Sequence, residues 1–213
     1  MAAMTAARTT AAQETRGYIG GGTMLSWQGA GTTCSSPHCA QPGIGGTAIG
    51  LSGDIGGHIV PALSVAFEFS LPARFTALQD VHDRFASEVR IENHHRDIVL
   101  SGLLHVHASR TGRAQFAFVV GPSLVREDTL QREAERPFFP LGSTFGPYYV
   151  GPQETRWTFG VSGGGDLAVE VNRRVSVVPQ IRIHFISRVD PLSQDRGLSS
   201  FVIRPGVNIR VGF

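Results

Sequence analysis

The feature that most constrains this chain is a two-residue alternation of apolar and polar side chains in its second half. In Arg174–Val189 the odd positions, such as Ile181 and Phe185, are mostly apolar, whereas the even positions include Arg182. The segment Ser199–Phe213 repeats the pattern. Because alternate residues of a β-strand point to opposite faces, this period predicts strands with one apolar and one polar face.

Weaker alternation in the first half brings the number of predicted strands to eight, and helical periodicity is almost absent. The predicted strands are Arg16–Gln28, Gly46–Val60, Leu63–Phe75, His94–Ser109, Arg113–Arg126, Arg156–Val171, Arg174–Val189 and Ser199–Phe213.

Short connections alternate strictly with long ones. The short connections lie at Pro61-Ala62, near Thr111-Gly112 and at Asn172-Arg173, and the long ones are Gly29–Gly45, Thr76–Asn93, Glu127–Thr155 and Asp190–Leu198. This order is typical of an all-β fold, the eight-stranded antiparallel up-and-down transmembrane β-barrel, with tight turns at one end and long loops at the other.

The polar face of the predicted strands is rich in small residues such as Gly160, Ser162 and Ala168, which indicates that it points inward. An eight-stranded interior has little room, whereas a face in water would carry lysine, and the sequence contains none. Aromatic residues near the strand ends predict the interfacial girdles of a membrane barrel. They are Trp157, Phe159 and Phe201 at one end and Phe116 and Phe213 at the other. The apolar face is therefore expected to contact lipid.

Composition excludes two other classes of protein. No apolar run approaches the roughly 18 residues of a membrane helix, since the longest, Ile59–Phe67, is interrupted by a proline. A net charge of +2 is too small to argue for nucleic-acid binding.

Residues 1–15 lack the apolar stretch of an export signal, and we expect them to be a disordered leader or a signal-peptide remnant. The barrel is expected to span residues 16–213.

The C-terminal strand carries the most specific motif. Val207, Ile209 and Val211 alternate toward a terminal Phe213. With this ending, the region from residue 16 onward resembles the small outer-membrane β-barrels of the OmpA/OmpX type. The resemblance implies a monomer in the outer membrane of a Gram-negative bacterium, with short turns in the periplasm and long external loops. It also implies that outer-membrane lipid and lipopolysaccharide surround the barrel, and that the barrel-assembly machinery reads the last strand as an assembly signal.

Charged residues on the inward face predict a polar network in the lumen, because charges in a narrow interior need partners. Its members are Asp54, Glu68, His105, Asp166, Arg182 and Arg204. The network is expected to be a structural plug, and a gate or a proton or ion path is the alternative. A metal site is a second interpretation for three histidines near the periplasmic rim, His58, His105 and His107. The preferred interpretation is that these histidines only form hydrogen bonds within the network.

The first long loop contains Cys34 and Cys39, which we expect to form a disulfide in an exported protein. His38 between them allows a metal interpretation, but two thiols and one imidazole are too few for an ordinary zinc site. No cofactor is expected, and no catalytic residue is assigned.

The leading interpretation of function is a structural or surface-interaction protein with a lumen filled by side chains. A small-solute channel would differ by its conductance in planar bilayers, and an outer-leaflet lipid-modifying enzyme by changed lipid A. A soluble lipocalin-like binder, with the apolar face inside, would need no detergent.

Overall fold

The fold was analysed in a computed structural model, which describes residues 17–30, 45–82, 87–108, 113–137, 144–187 and 198–213. These residues form ten antiparallel strands. They are β1 (Gly17–Ala30), β2 (Gly46–Val60), β3 (Leu63–Pro72), β4 (Phe75–His82), β5 (Ser87–His107), β6 (Ala114–Pro137), β7 (Tyr149–Val150), β8 (Glu154–Glu170), β9 (Val175–Ile186) and β10 (Leu198–Gly212). Within them there is no helix of the length and apolar character needed to cross a membrane.

Eight of the strands close into a ring. Neighbours along the chain pair in the order β1, β2, β3, β5, β6, β8, β9 and β10. The first and last strands then pair with each other, from Tyr18 opposite Gly212 to Ala30 opposite Leu198. The predicted eight-stranded antiparallel barrel is confirmed.

Two of the three predicted tight turns lie in the described residues and join the strands at one end of the barrel, whereas Thr111-Gly112 lies outside the described residues. Pro61 and Ala62 form the turn between β2 and β3. Between β8 and β9, the side-chain oxygen of Asn172 accepts hydrogen bonds from the backbone N–H groups of Arg174 and Val175 at 2.9 and 2.8 Å. This is the local bonding that makes asparagine a common turn residue.

The barrel wall separates an apolar exterior from a mainly polar interior. Large apolar side chains such as Ile55, Phe67 and Ile181 are exposed around the outside, and the buried set is dominated by polar residues. Aromatic residues lie on the outside at both rims of the barrel. At the rim away from the tight turns they are Trp27, Trp157, Phe159 and Phe201, and at the rim beside the tight turns they are Phe116, Phe118 and Phe213. The outward-apolar orientation predicted from the sequence is therefore present.

Two predicted loops are largely strands, so those predictions were wrong. β4 and the first part of β5 replace most of the loop Thr76–Asn93, and β6 continues to Pro137 inside the loop Glu127–Thr155. Together with β7 they form a four-stranded sheet, the extension, which projects beyond the ring. The extension carries charged residues on both faces, so it lacks the apolar alternation from which strands are predicted.

Candidate functional site: the filled lumen

Two carboxylates enter the lumen side by side from neighbouring strands. Asp54 of β2 lies directly opposite Glu68 of β3 in the strand register, and both side chains are buried. Like charges this close in a low-dielectric interior repel each other strongly unless cations stand beside them. The arrangement therefore requires basic groups from the far side of the barrel.

Arginines from β9 and β10 supply that charge. Arg210 Nε lies 2.5 Å from Asp54 Oδ2, and Arg182 Nη2 lies 2.8 Å from Glu68 Oε2. Asp166 of β8 links the two arginines, with its oxygens 2.5 Å from Arg182 Nη1 and 2.7 Å from Arg210 Nη2. The result is one chain of ion pairs that crosses the lumen between opposite walls.

The third arginine, Arg204, donates to three oxygens of the barrel wall. Its guanidinium donates to Ser26 Oγ at 3.1 Å, to Ser70 Oγ at 2.5 Å and to the backbone oxygen of Asp97 at 2.6 Å. These three acceptors come from three different strands, and Arg204 itself is fully buried. It therefore ties the walls together one layer above the ion pairs.

His105 approaches the same network without a hydrogen bond of its own. Its Nδ1 lies 3.5 Å from Asp166 Oδ2, and neither ring nitrogen has a hydrogen-bond partner in the described part of the chain. Below it, the rings of His107 and His58 stack with their centroids 4.9 Å apart, and His107 Nε2 lies 2.8 Å from Ser64 Oγ. Across the described ranges, no three histidine, cysteine, aspartate or glutamate residues are arranged to hold a metal ion.

A group of hydroxyls lies beside Arg204 that sequence reasoning did not single out. Ser162 Oγ is 2.6 Å from His184 Nδ1 and 3.1 Å from Ser101 Oγ, and it also contacts Ser123 Oγ. Arg210 and Asn208 were missed as well, although Asn208 donates to Asp54 at 3.1 Å. The signal was available, because Ser162, His184, Asn208 and Arg210 all occupy the inward set of their strands.

An apolar cluster lies in the lumen on the side of the extension. Val99, Val125, Ile186 and Val202 form a cluster of fully buried residues. They come from four strands, and Val99 and Val125 face each other directly in the β5–β6 register. The lumen therefore contains an apolar cluster in addition to the polar network.

The other predicted sites lie away from the lumen. Val207, Ile209 and Val211 point outward and are exposed, and Phe213 closes the seam by hydrogen bonds between its backbone and that of Gly17 at 2.9 and 3.2 Å. Cys34 and Cys39 lie outside the described residues, so their pairing stays a prediction.

Comparison with known proteins identifies the fold. The outer membrane protein OprG from Pseudomonas aeruginosa superposes with a TM-score of 0.55, at 9% identity, over 93% of this chain and 97% of that chain. Ail, the attachment invasion locus protein of Yersinia pestis, gives a TM-score of 0.48 at 8% identity over 94% of this chain and 100% of its own. No protein-family model matches this sequence, and no curated protein matches it either. At this identity the likeness to OprG establishes the fold.

Proposed function

Because the chain is an eight-stranded barrel with the fold of the small outer-membrane proteins, we propose that it is a structural or surface-interaction protein with a sealed lumen. In this proposal the tight turns lie in the periplasm and the extension lies outside the cell, as in other barrels of this architecture. The barrel is a monomer surrounded by outer-membrane lipid and lipopolysaccharide. It is neither a channel nor an enzyme.

The observation that carries the proposal is the double filling of the lumen. The ion-pair chain through Asp166 joins opposite walls, and Val99, Val125, Ile186 and Val202 add an apolar cluster. Eight strands leave an interior that side chains can fill completely. A solute would have to separate buried ion pairs and also displace buried valine and isoleucine side chains.

The buried serine–histidine pair does not favour an enzyme. Ser162 and His184 have the 2.6 Å contact of a nucleophile with its base, but both side chains are buried inside the barrel. A lipid of the outer leaflet lies on the other side of the wall. The pair is better explained as part of the hydrogen-bonded filling.

The extension offers the surface through which such a protein would act. Tyr149 and Val150 of β7 are largely exposed, and Arg90 and Arg136 lie over the ring of Phe145 at 4.1 and 5.0 Å from its centroid. These contacts hold an ordered, charged and aromatic surface beyond the barrel rim.

Absence of conductance is the first prediction of this proposal. The purified chain, refolded in detergent and inserted into planar bilayers, is expected to give no steady conductance, because the lumen is filled at two levels. Insertion is checked on the same preparation by the difference in gel mobility between boiled and unboiled samples. Stepwise conductance from a preparation that shows this difference would instead favour the small-solute channel. A monodisperse β-rich protein in plain buffer would remove the membrane assignment itself.

A second prediction concerns the assembly machinery as a partner. Replacing Phe213 with alanine is expected to remove most of the protein from the outer membrane of cells, if the last strand is read as an assembly signal. Refolding of the same variant in detergent should keep its stability within about 1 kcal/mol, as for most surface substitutions. Phe201→Ala is the matched control, since Phe201 is exposed on the same strand at the opposite rim. Equal cellular levels of the two variants would contradict the prediction.

A further inference from the structure

A cluster of two arginines and one aspartate lies on the outside of the barrel, just beyond the aromatic rim. Arg126 of β6 is directly opposite Trp157 of β8, which belongs to that rim. Arg96 of β5 is directly opposite Asp128, two residues farther along β6. The cluster therefore lies on the lipid-facing side at the level where hydrocarbon gives way to headgroups.

The aspartate fixes both arginines in place. Asp128 Oδ2 accepts from Arg96 Nη2 at 2.6 Å, and Oδ1 accepts from Arg126 Nε at 3.1 Å. Thr155 of β8 donates to the same Oδ1 at 3.0 Å. Two long side chains are thereby ordered before any ligand arrives, which lowers the entropic cost of binding.

The cluster presents positive charge outward. The side chain of Asp128 is 1% exposed, whereas those of Arg96 and Arg126 are 27% and 40% exposed. Each guanidinium has five N–H donors, and in the described part of the chain the only acceptor either one finds is the carboxylate of Asp128. Unused donors and a net charge of one remain for an anion.

The same face continues the pattern away from the membrane. Arg132 lies opposite Glu92 and Arg136 opposite Glu88, and in both pairs the arginine is the more exposed partner. Because alternate residues of a strand share a face, Arg126, Arg132 and Arg136 all lie on the outward face of β6, in a row that rises from the rim.

We propose that Arg96 and Arg126 bind phosphate groups of lipopolysaccharide, the phosphorylated glycolipid of the outer leaflet. The inference rests on the proposed outer-membrane location and orientation, and it names residues for one of the proposed partners. Guanidinium groups match the geometry of phosphate oxygens. The height of the cluster beside Trp157 favours a membrane headgroup over a ligand free in solution.

The test compares binding of fluorescently labelled lipopolysaccharide to the refolded chain in detergent, with divalent cations removed. Arg96→Gln/Arg126→Gln is expected to weaken binding about fivefold for each arginine, as for basic groups near an anionic surface. The matched control is Arg113→Gln/Arg174→Gln, which removes two exposed arginines at the opposite end of the barrel. This control should bind like the unmodified chain, and dephosphorylated lipopolysaccharide should bind all variants equally weakly.

Arg126→Gln alone keeps the test decisive if the double variant folds poorly. It leaves the Arg96–Asp128 ion pair in place and removes the more exposed of the two guanidinium groups, so binding should weaken about fivefold. Equal binding by the unmodified chain and a folded double variant would overturn the inference. So would full displacement by inorganic phosphate at equal concentration, which would indicate a free anion as the ligand. All these outcomes leave the sealed barrel standing, since its mobility shift on gels is measured separately.

Discussion

Replacing Asp166 with alanine is expected to lower the free energy of unfolding of the barrel by about 3–5 kcal/mol, the usual cost of removing one partner from a buried ion pair. Among the lumen residues that the structure describes, only Asp166 contacts both Arg182 and Arg210. Without it, two guanidinium groups in the interior lose a shared carboxylate. Urea unfolding in detergent, followed by tryptophan fluorescence, measures the change.

Two further variants separate charge from volume. Asp166→Asn keeps the size of the side chain, so it should show most of the loss if charge is the cause. Glu133→Gln removes a carboxylate from the exposed face of the extension, and it should stay within about 0.5 kcal/mol of the unmodified chain. A loss below about 1 kcal/mol for Asp166→Ala would mean that water or other groups replace the carboxylate, and that the lumen is wetter than its contacts imply.

The second large effect concerns the outer surface. Ile55→Arg is expected to destabilise the barrel in lipid vesicles by about 2–4 kcal/mol, the cost of an arginine near the bilayer midplane on the lipid face of a barrel. Ile55 lies between Ile19 and Phe67 in the strand register, and all three are exposed on the outside. The measurement is equilibrium unfolding of barrels refolded into vesicles.

Leu78→Arg is the matched control for that substitution. Leu78 is even more exposed than Ile55, but it lies on β4 opposite Glu92, in the extension beyond the ring. An arginine there should change stability by no more than about 0.5 kcal/mol. Equal effects at the two positions would show that the exposed apolar face is not in lipid.

The strand pattern was predictable where one face is apolar and the other polar. The segments around β9 and β10 have this contrast along their whole length, so their position and their inward and outward faces follow from the sequence. The strands of the extension could not be predicted in this way, because both of their faces are polar. Pairs such as Glu92 and Arg132 place charges on the outer face, and residues such as Asn93 and His95 continue the polar inner face. What holds these strands together is cross-strand pairing, and a single sequence does not reveal its partners.

The lumen could be predicted in kind but not in connectivity. Alternation identified three inward carboxylates and two inward arginines. Arg210 was left out, although it contacts both Asp54 and Asp166, and so was the buried Asp97. Which carboxylate meets which arginine depends on strand tilt and stagger around the ring. Strand tilt and stagger are properties of the closed barrel, and they cannot be read from the sequence of any single strand.

The partners in the lumen are far apart along the chain, and this has a consequence for folding. Arg210 and Asp54 are separated by 156 residues, and Arg204 and Ser26 by 178. The last strand thus brings Arg210, the arginine that pairs with Asp54, so an intermediate that lacks this strand holds the buried Asp54 without its counter-charge. Such long-range contacts slow folding, and they also make it nearly all-or-none. A chain that loses its final strand would therefore stall as an open sheet, exposed to proteases before it could close.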